Sequence, residues 1–284
     1  MKNVIVRLNE YVKHSSGAEK GIIEMILHDP KAMVGMTIHV CAKRSYTSAS
    51  SVVRLCRKLG FEGYKEFHQS LVYELALLDS DLKEKSREIT FQDSLHDIIE
   101  KVTSKNILSL ENTAKLVDDT VLKACVDLMM ECRSICLFGM GASLLVAKDA
   151  YLKFLRINKP CIINDDWHAQ LLQARNMIST DLAIAISYSG MTHEVIECIK
   201  AAKNKGAKVI AISRFEDNPL SKLADYNLSV SATEFIFRSG AMSSRIAQLN
   251  IIDILYAAYV NQHYDDSLKQ LKLTHIDKSL TENQ

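Results

Sequence analysis

Ser187, Ser189 and Thr192 place three aliphatic hydroxyls within the six-residue stretch Ser187-Tyr-Ser-Gly-Met-Thr192, with Gly190 between them. Such a set suits the binding of an oxyanion by neutral donors. The hydroxyls donate, Gly190 allows close backbone approach, and free N–H groups opening a helix from about Thr192 add the positive end of its dipole. The turn contains no lysine. The residues before it, Leu182 to Ile186, are apolar without alternation, as a central parallel strand covered on both faces requires. The carboxyl end of such a strand is where a ligand belongs. Taken alone, the turn also has the composition of an ordinary strand-to-helix loop capped by Ser or Thr.

A second turn strengthens the reading. Ile135 to Phe138 is another short apolar strand, and it runs into Gly139-Met-Gly141-Ala-Ser143. The dinucleotide fingerprint would need a third glycine near Leu144, so no nicotinamide cofactor, and no other cofactor, is expected. Asp165, Asp166 and His168 follow the strand candidate Cys161 to Ile163 and raise the alternative of a metal site, but their spacing matches no common ligand pattern.

The elements that must position these turns alternate. Strand candidates at Ile135 to Phe138, Cys161 to Ile163, Leu182 to Ile186, Val209 to Ile212 and Leu228 to Val230 are separated by helices at Ala142 to Arg156, Ala169 to Met177, His193 to Lys205 and Leu220 to Ala224. This is the pattern of a doubly wound parallel-sheet α/β domain. Ahead of it, Ser94 to Val117 reads as an amphipathic helix with Leu95, Ile98, Ile99, Val102, Ile107, Leu108 and Leu110, and Val121 to Met130 as another. Either could pack on its own domain or join two copies of the chain.

The amino-terminal part is all-helical. Glu19 to Leu27 is a helix stopped by Pro30, and Thr37 to Arg44 is followed by a break at Ser45-Tyr46-Thr47. Ser48 then caps a helix with Val52, Leu55 and Leu59 inward. That is helix-turn-helix spacing, with Ala42 small enough for the two helices to cross closely. The outward face of the second helix carries Ala49, Ser50, Ser51, Arg54 and Arg57, and the expected DNA-binding set adds Ser48 and Lys58 at its two ends and Lys43 and Arg44 just before the turn. Short polar residues followed by arginines suit base edges first and phosphates next. The turn usually holds glycine where this chain has Tyr46, so it needs a non-glycine conformation or a longer loop. A small bundle for protein contacts is the alternative.

Charge supports the nucleic-acid reading. The net charge of the 284 residues is only +1, but residues 1 to 75 carry +4 and the remainder −3. No acidic residue lies between Asp29 and Glu62, a surface without anion repulsion. The seven cysteines, Cys41, Cys56, Cys125, Cys132, Cys136, Cys161 and Cys198, are odd in number and form no Cys-x-x-Cys pair, so they read as reduced core thiols. No signal peptide or long apolar span is recognisable, and a cytoplasmic protein without membrane attachment is expected.

Two stretches carry a resemblance. Ala42-Lys-Arg-Ser-Tyr-Thr-Ser48, Ser51-Val-Val-Arg54 and Lys58-Leu-Gly-Phe-Glu-Gly-Tyr-Lys-Glu-Phe67 resemble the DNA-binding domain of the RpiR/MurR family of bacterial transcriptional regulators. The pairing of Gly-x-Gly-x-Ser with Ser-x-Ser-Gly-x-Thr resembles a sugar isomerase (SIS) domain over about Val121 to Val260, and Glu234 to Gln248 resembles the matching segment of the same regulators. The resemblance implies that Ser48 to Leu59 is the recognition helix, that Gly60 and Gly63 make turns letting Phe61 and Phe67 close the core, and that Ser143, Ser187, Ser189 and Thr192 hold a phosphate. In the enzymes of this fold a glutamate at the position of Glu234 is the base.

The expected division is 1–76 for the helix-turn-helix domain, 77–92 for a linker, 93–270 for the SIS domain with leading helices, and 271–284 for a tail. The expected sugar-phosphate residues are Gly141, Ser143, Ser187, Tyr188, Ser189, Gly190, Thr192, Glu234 and Arg238; no catalytic or metal-ligating residue is assigned. The function implied is a regulator of carbohydrate genes, a repressor, binding double-stranded operator DNA as a homodimer or homotetramer under control of a phosphorylated sugar. A sugar-phosphate isomerase or lyase with an accessory helical domain is the alternative. Its ring-opening histidine would have to be His168 or His193, because the segment after Glu234 has none before His263.

Overall fold

The computed structural model describes residues 4–76, 89–215, 217–232 and 241–276. The chain divides into two compact units, Met1–Val117 with Arg214–Asp217 and Ser229–Ala247, and Asp118–Ser213 with Asn218–Leu228 and Gln248–Gln284.

The first unit begins with α1 (Val4–Tyr11), α2 (Gly17–His28), α3 (Ile38–Arg44), α4 (Ala49–Lys58) and α5 (Tyr64–Ala76). Helix α2 stops where Pro30 forbids continuation. Its C-cap Asp29 turns its carboxylate to the Ala32 N–H at 3.1 Å and opens a 3-10 segment, Pro30–Gly35. Ser48 caps α4 by accepting the Ser51 N–H at 3.2 Å, as its position before the apolar repeat predicts. Val52, Leu55 and Leu59 are buried with Cys41 and Ala42 of α3 in one core. Phe61 and Phe67 close it edge to face at 5.4 Å. Gly60, at φ +84°, makes the turn expected of it. Gly63 does not adopt positive φ and a Cβ there would meet open space, so nothing in the turn demands glycine at that position.

Helix α1 carries no sequence signal of its own start, because its cap comes from far along the chain. The Val4 and Ile5 N–H groups donate to the Glu74 carboxylate of α5. Arg7 donates to the Leu59 carbonyl at 2.8 Å, and its guanidinium lies over the Phe61 and Phe215 rings at 5.7 and 4.8 Å. Glu10, buried one turn later, accepts from the Ser231 hydroxyl at 2.7 Å.

Helix α6 (Leu95–Leu116) opens on a capping box between Ser94 and Asp97. Its apolar residues do not form the buried face that its periodicity suggests. Ser104, Lys105, Ser109, Thr113 and Leu116 are buried, whereas Leu95, Ile99 and Ile107 are 80%, 64% and 40% exposed.

The second unit starts with α7 (Asp119–Glu131), capped by Asp118, and builds a five-stranded sheet of order β2-β1-β3-β4-β5. The elements run β1 (Ile135–Gly139), α8 (Ala142–Arg156), β2 (Cys161–Ile163), α9 (Trp167–Arg175), β3 (Leu182–Ile186), α10 (His193–Asn204), β4 (Lys208–Arg214), α11 (Pro219–Leu223), β5 (Tyr226–Val230), α12 (Met242–Gln262) and α13 (Tyr264–Leu273). Strands β1, β2, β3 and β4 pair in parallel. Every residue of β1 and β3 is buried, which accounts for their unbroken apolar sequences. Alternate residues Cys136, Phe138, Ala183, Ala185, Val209 and Ala211 pack with Val195, Cys198, Ile199 and Ala202 of α10 and Leu220 of α11. All seven cysteines are free, and burial pushes the Cys41 and Cys56 thiols up to about 11 and about 12, so they are packing groups rather than nucleophiles. No described helix is long and apolar enough to cross a membrane.

Asp181 fixes the register of the two central strands at their amino ends. Its fully buried carboxylate accepts a bidentate pair from Arg133 at 2.9 and 3.0 Å, the Ser134 hydroxyl at 2.8 Å and the Ile178 N–H at 3.0 Å. Burial alone would raise its pKa, but these donors outweigh burial and hold it below the usual carboxylate range. A depressed folded pKa contributes stability above the unfolded value, lost as pH falls through the folded one. Asp181→Asn is therefore expected to cost about 2 kcal/mol at neutral pH. Thermal melts against pH should show the deficit shrinking below about pH 4. Glu10 behaves oppositely: burial raises its pKa, only partly offset by Ser231, Lys13 and Arg214. Stability linked to a raised carboxyl is present below its unfolded value and is lost as pH rises through the folded one. Glu10→Gln is expected to raise the melting temperature at pH 8 and to change it little at pH 4.

Candidate functional site

The two glycine-and-hydroxyl turns lie at one edge of the sheet on adjacent strands, since Gly139 stands opposite Ile186 in the β1–β3 register. With β2 on one side of β1 and β3 on the other, this is the point where the strand order reverses and a crevice opens for ligands.

The first turn is clamped from behind by Gln170 of α9, which is 1% exposed. Its Oε1 accepts the Gly139 N–H at 3.2 Å, and its Nε2 donates to the Gly139 and Asn164 carbonyls at 3.0 and 3.1 Å. A Cβ at Gly139 would come within 2.9 Å of the Ser143 carbonyl oxygen, so the strand end needs glycine to let α8 start so close. Gly141, at φ +56°, is the N-cap of α8 and brings no side-chain cap. Ser143 is half-buried and donates to Oε1 of the buried Gln248 of α12 at 3.3 Å.

The second turn is backed by Asn218, which packs closely against Gly190. Gly190 sits at φ +64°, and a Cβ there would lie 1.9 Å from the Asn218 Oδ1. The Gly190 carbonyl accepts the Leu220 N–H of α11 at 3.1 Å. Asn218 also caps α11 through the Ser221 N–H at 2.8 Å and donates to Ser213 at 3.1 Å. The hydroxyls satisfy one another within the turn: Ser187 and Thr192 share a hydrogen bond of 2.9 Å, and Ser189 accepts the Met191 N–H at 3.2 Å. Thr192 is the N-cap of α10 without a side-chain cap bond. The edge therefore presents two helix amino ends that lack side-chain caps, together with Ser143, Ser187, Ser189 and Thr192. Tyr188 is half-buried beside them.

Glu234 and Arg238 lie outside the described residues. Asp166 is used as the N-cap of α9, accepting the Ala169 N–H at 2.9 Å, and Asp165 pairs with Lys148 at 2.8 Å. Among the described residues no group of three His, Cys, Asp or Glu is arranged to hold a metal ion. His168 is exposed, and His193 lines an open groove of about 570 Å³ with Trp167, Leu171, Arg175 and Lys200. Gln170, Asn218 and Gln248 are the residues that sequence reasoning passed over. The only local signal was Asn218 before Pro219, the start of a short helix.

On the first unit the expected DNA face stands outward. Lys43, Arg44, Ser48, Ser50, Arg54, Arg57 and Lys58 are exposed, and Ala49 and Ser51 are partly so. Ser48 is shared between capping and the hydroxyls of Ser50 and Ser51, at 2.7 and 3.0 Å. Lys58 is not a free cation, because Glu19 of α2 pairs with it at 2.8 Å; folding brings an acid to the edge of the acid-free window. Tyr46 adopts φ +53°, so the turn keeps its length with a left-handed non-glycine residue.

The chain matches the family model of the rpiR-family helix-turn-helix domain over residues 2–77 and that of the SIS domain over 128–258. An uncharacterized HTH-type transcriptional regulator of Caldanaerobacter subterraneus is 35% identical over 274 residues, 96% of each chain. Among solved structures, the NanR protein of Vibrio vulnificus complexed with ManNAc-6P aligns with a TM-score of 0.59 at 27% identity over 96% of each chain. The sugar isomerase domain of an RpiR transcription factor from Sphaerobacter thermophilus aligns with a TM-score of 0.56 at 19% identity, over 61% of this chain and 94% of that one, and shows the fold alone. A helix-turn-helix head and a phosphate-type sheet edge in one chain, matched end to end by such a relative, place the protein in the RpiR family of HTH-type transcriptional regulators with a SIS domain.

Proposed function

We propose that this regulator represses carbohydrate genes by binding double-stranded operator DNA through α3 and α4, and that a sugar phosphate seated at the β1–β3 edge releases it. The observation that carries the effector half is the pair of adjacent turns whose hydroxyls and uncapped helix ends converge at the strand-order switch. In this reading Gly141, Ser143, Ser187, Tyr188, Ser189, Gly190 and Thr192 surround the phosphate, and Glu234 and Arg238 complete the site around the sugar. An N-acetylated amino-sugar 6-phosphate is the first candidate, because the NanR neighbour is complexed with ManNAc-6P.

For the DNA half, Ser48, Ala49, Ser50 and Ser51 are read as facing base edges and Lys43, Arg44, Arg54 and Arg57 as facing phosphates, with Lys58 at the margin of that face where Glu19 shares its charge. Operators read by such heads are two-fold, which needs two copies of the chain. A homodimer or homotetramer is supported by the outward Leu95 and Ile99 of α6, whose exposure disfavours an isolated chain. The absence of a membrane-spanning helix among the described residues is compatible with a cytoplasmic location.

Mobility shifts on promoter fragments with a panel of sugar phosphates test the whole reading: release by one of them is expected, and tighter binding would overturn repression. The double variant Ser187→Ala, Ser189→Ala removes two donors to a charged group. Its effector affinity should fall at least about 100-fold, read by thermal shift, with DNA affinity unchanged in effector's absence. Sedimentation should give a dimer or tetramer, and a monomer at micromolar concentration would sink that part.

A further inference from the structure

Tyr46 stands where the fold has least use for it. The segment Ala42 to Thr47 closes α3 in a Schellman turn: the Tyr46 N–H donates to the Lys43 carbonyl at 3.3 Å and the Thr47 N–H to the Ala42 carbonyl at 2.9 Å. The residue that must turn left-handed in this motif is Tyr46, at φ +53°, a conformation that glycine takes without strain and a tyrosine does not. The neighbouring Ser45 makes the conformation hard to escape. Its buried hydroxyl donates to the Cys41 carbonyl at 2.8 Å and lies 2.9 Å from the Thr47 hydroxyl. The side chain gives nothing back in packing, since Tyr46 is 98% exposed. Strain held in place by surrounding bonds, on a residue without a folding role, marks a surface function.

The surroundings say which function. Lys43 and Arg44 on the last turn of α3 and Ser48 and Ser50 at the start of α4 are exposed on either side of Tyr46 in sequence. In helix-turn-helix docking the first helix crosses the DNA backbone while the amino end of the second enters the major groove, so the turn between them passes beside the phosphates at the groove edge. A phenol there reaches a phosphate oxygen by donating its O–H, with the ring against the deoxyribose. We infer that Tyr46 is a DNA-backbone contact of this regulator, its hydroxyl donating to a phosphodiester oxygen beside the recognition helix. The inference rests on the DNA-binding role of α3 and α4 and adds a residue outside the basic and serine set.

A phosphate contact is independent of sequence, so the test needs no operator. Fluorescence anisotropy with a random-sequence duplex at low salt compares the full-length wild type with Tyr46→Gly, Tyr46→Ala and Tyr46→Phe. Tyr46→Gly is expected to melt about 2–5 °C higher, by relief of the left-handed strain, yet to bind the duplex about 5- to 10-fold more weakly. Tyr46→Ala should lose the same affinity without the thermal gain, which separates DNA contact from stability. Tyr46→Phe should lose most of that affinity because it lacks the donor. Wild-type affinity in the glycine variant would overturn the contact, and wild-type affinity in the phenylalanine variant would overturn the hydroxyl–phosphate assignment. Failure of the wild type to bind any duplex would overturn the DNA-binding reading itself.

Discussion

Two buried side-chain amides hold the sheet edge in its working shape. Gln170 grips both the N–H and the carbonyl of Gly139, and Asn218 fills the space that a side chain at Gly190 would need. Each turn is thus shaped from behind, by amides that are themselves buried. This leaves the front of the turn to hydroxyls and helix ends. The same dependence reaches the other end of the strands, where Asp181 locks Arg133 and Ser134 before β1 to the first residues of β3. Adjacent strands tied at one end deliver their turns side by side at the other. Parallel pairing permits this because it puts both carboxyl ends at the same edge.

The first unit follows a different logic, because its function requires charge outside and closure inside. Arg7 supplies part of the closure, reaching the Leu59 carbonyl at the end of α4 and stacking on Phe61. Guanidinium is suited to this place: it satisfies a carbonyl and lies on a ring while remaining charged. Among the described residues, the outward face keeps its lysines and arginines clear of acids except at Lys58. There Glu19 holds the amine at the margin of the basic surface, leaving Arg54 and Arg57 as the unacidified cations of α4.

Most of this was legible where the determinant is local. The strands Leu182 to Ile186 and Ile135 to Phe138 announced themselves by unbroken apolar runs, and the cap at Ser48 by its place before Val52, Leu55 and Leu59. Helix α1 was not legible, because its first N–H groups are capped by Glu74 across the unit. The clamps at Gln170 and Asn218 were hidden for the same reason: a glutamine within a helix has no sequence mark that says which backbone it will grip. Helix α6 misled in the opposite sense. Its leucines and isoleucines fit a buried stripe, but Thr113 takes the inner face, donating to the Ser231 carbonyl at 3.2 Å and accepting its N–H at 3.1 Å. A pair of backbone bonds to one buried hydroxyl outranks periodicity, because buried backbone groups must be paired.

In the proposed reading the chain meets anions in two settings, and the difference in donors follows from solvent. On α4 the cations stand in water and lose little by standing unpaired, so arginine serves a polyanion that arrives with its own counterions. At the sheet edge Ser187 is 3% exposed, and a lysine there would bring a buried charge that the turn's own groups could not pair. Hydroxyls avoid that cost because each is both donor and acceptor. Ser187 and Thr192 bond to each other, and Ser189 accepts from Met191, so these hydroxyls find partners within the turn itself. In the proposed reading an arriving phosphate would exchange these internal bonds for charge-assisted ones, and the gain in binding would be the difference between the two kinds of bond. Neutral donors suit this buried edge because they can be paired within the turn and still donate to an anion.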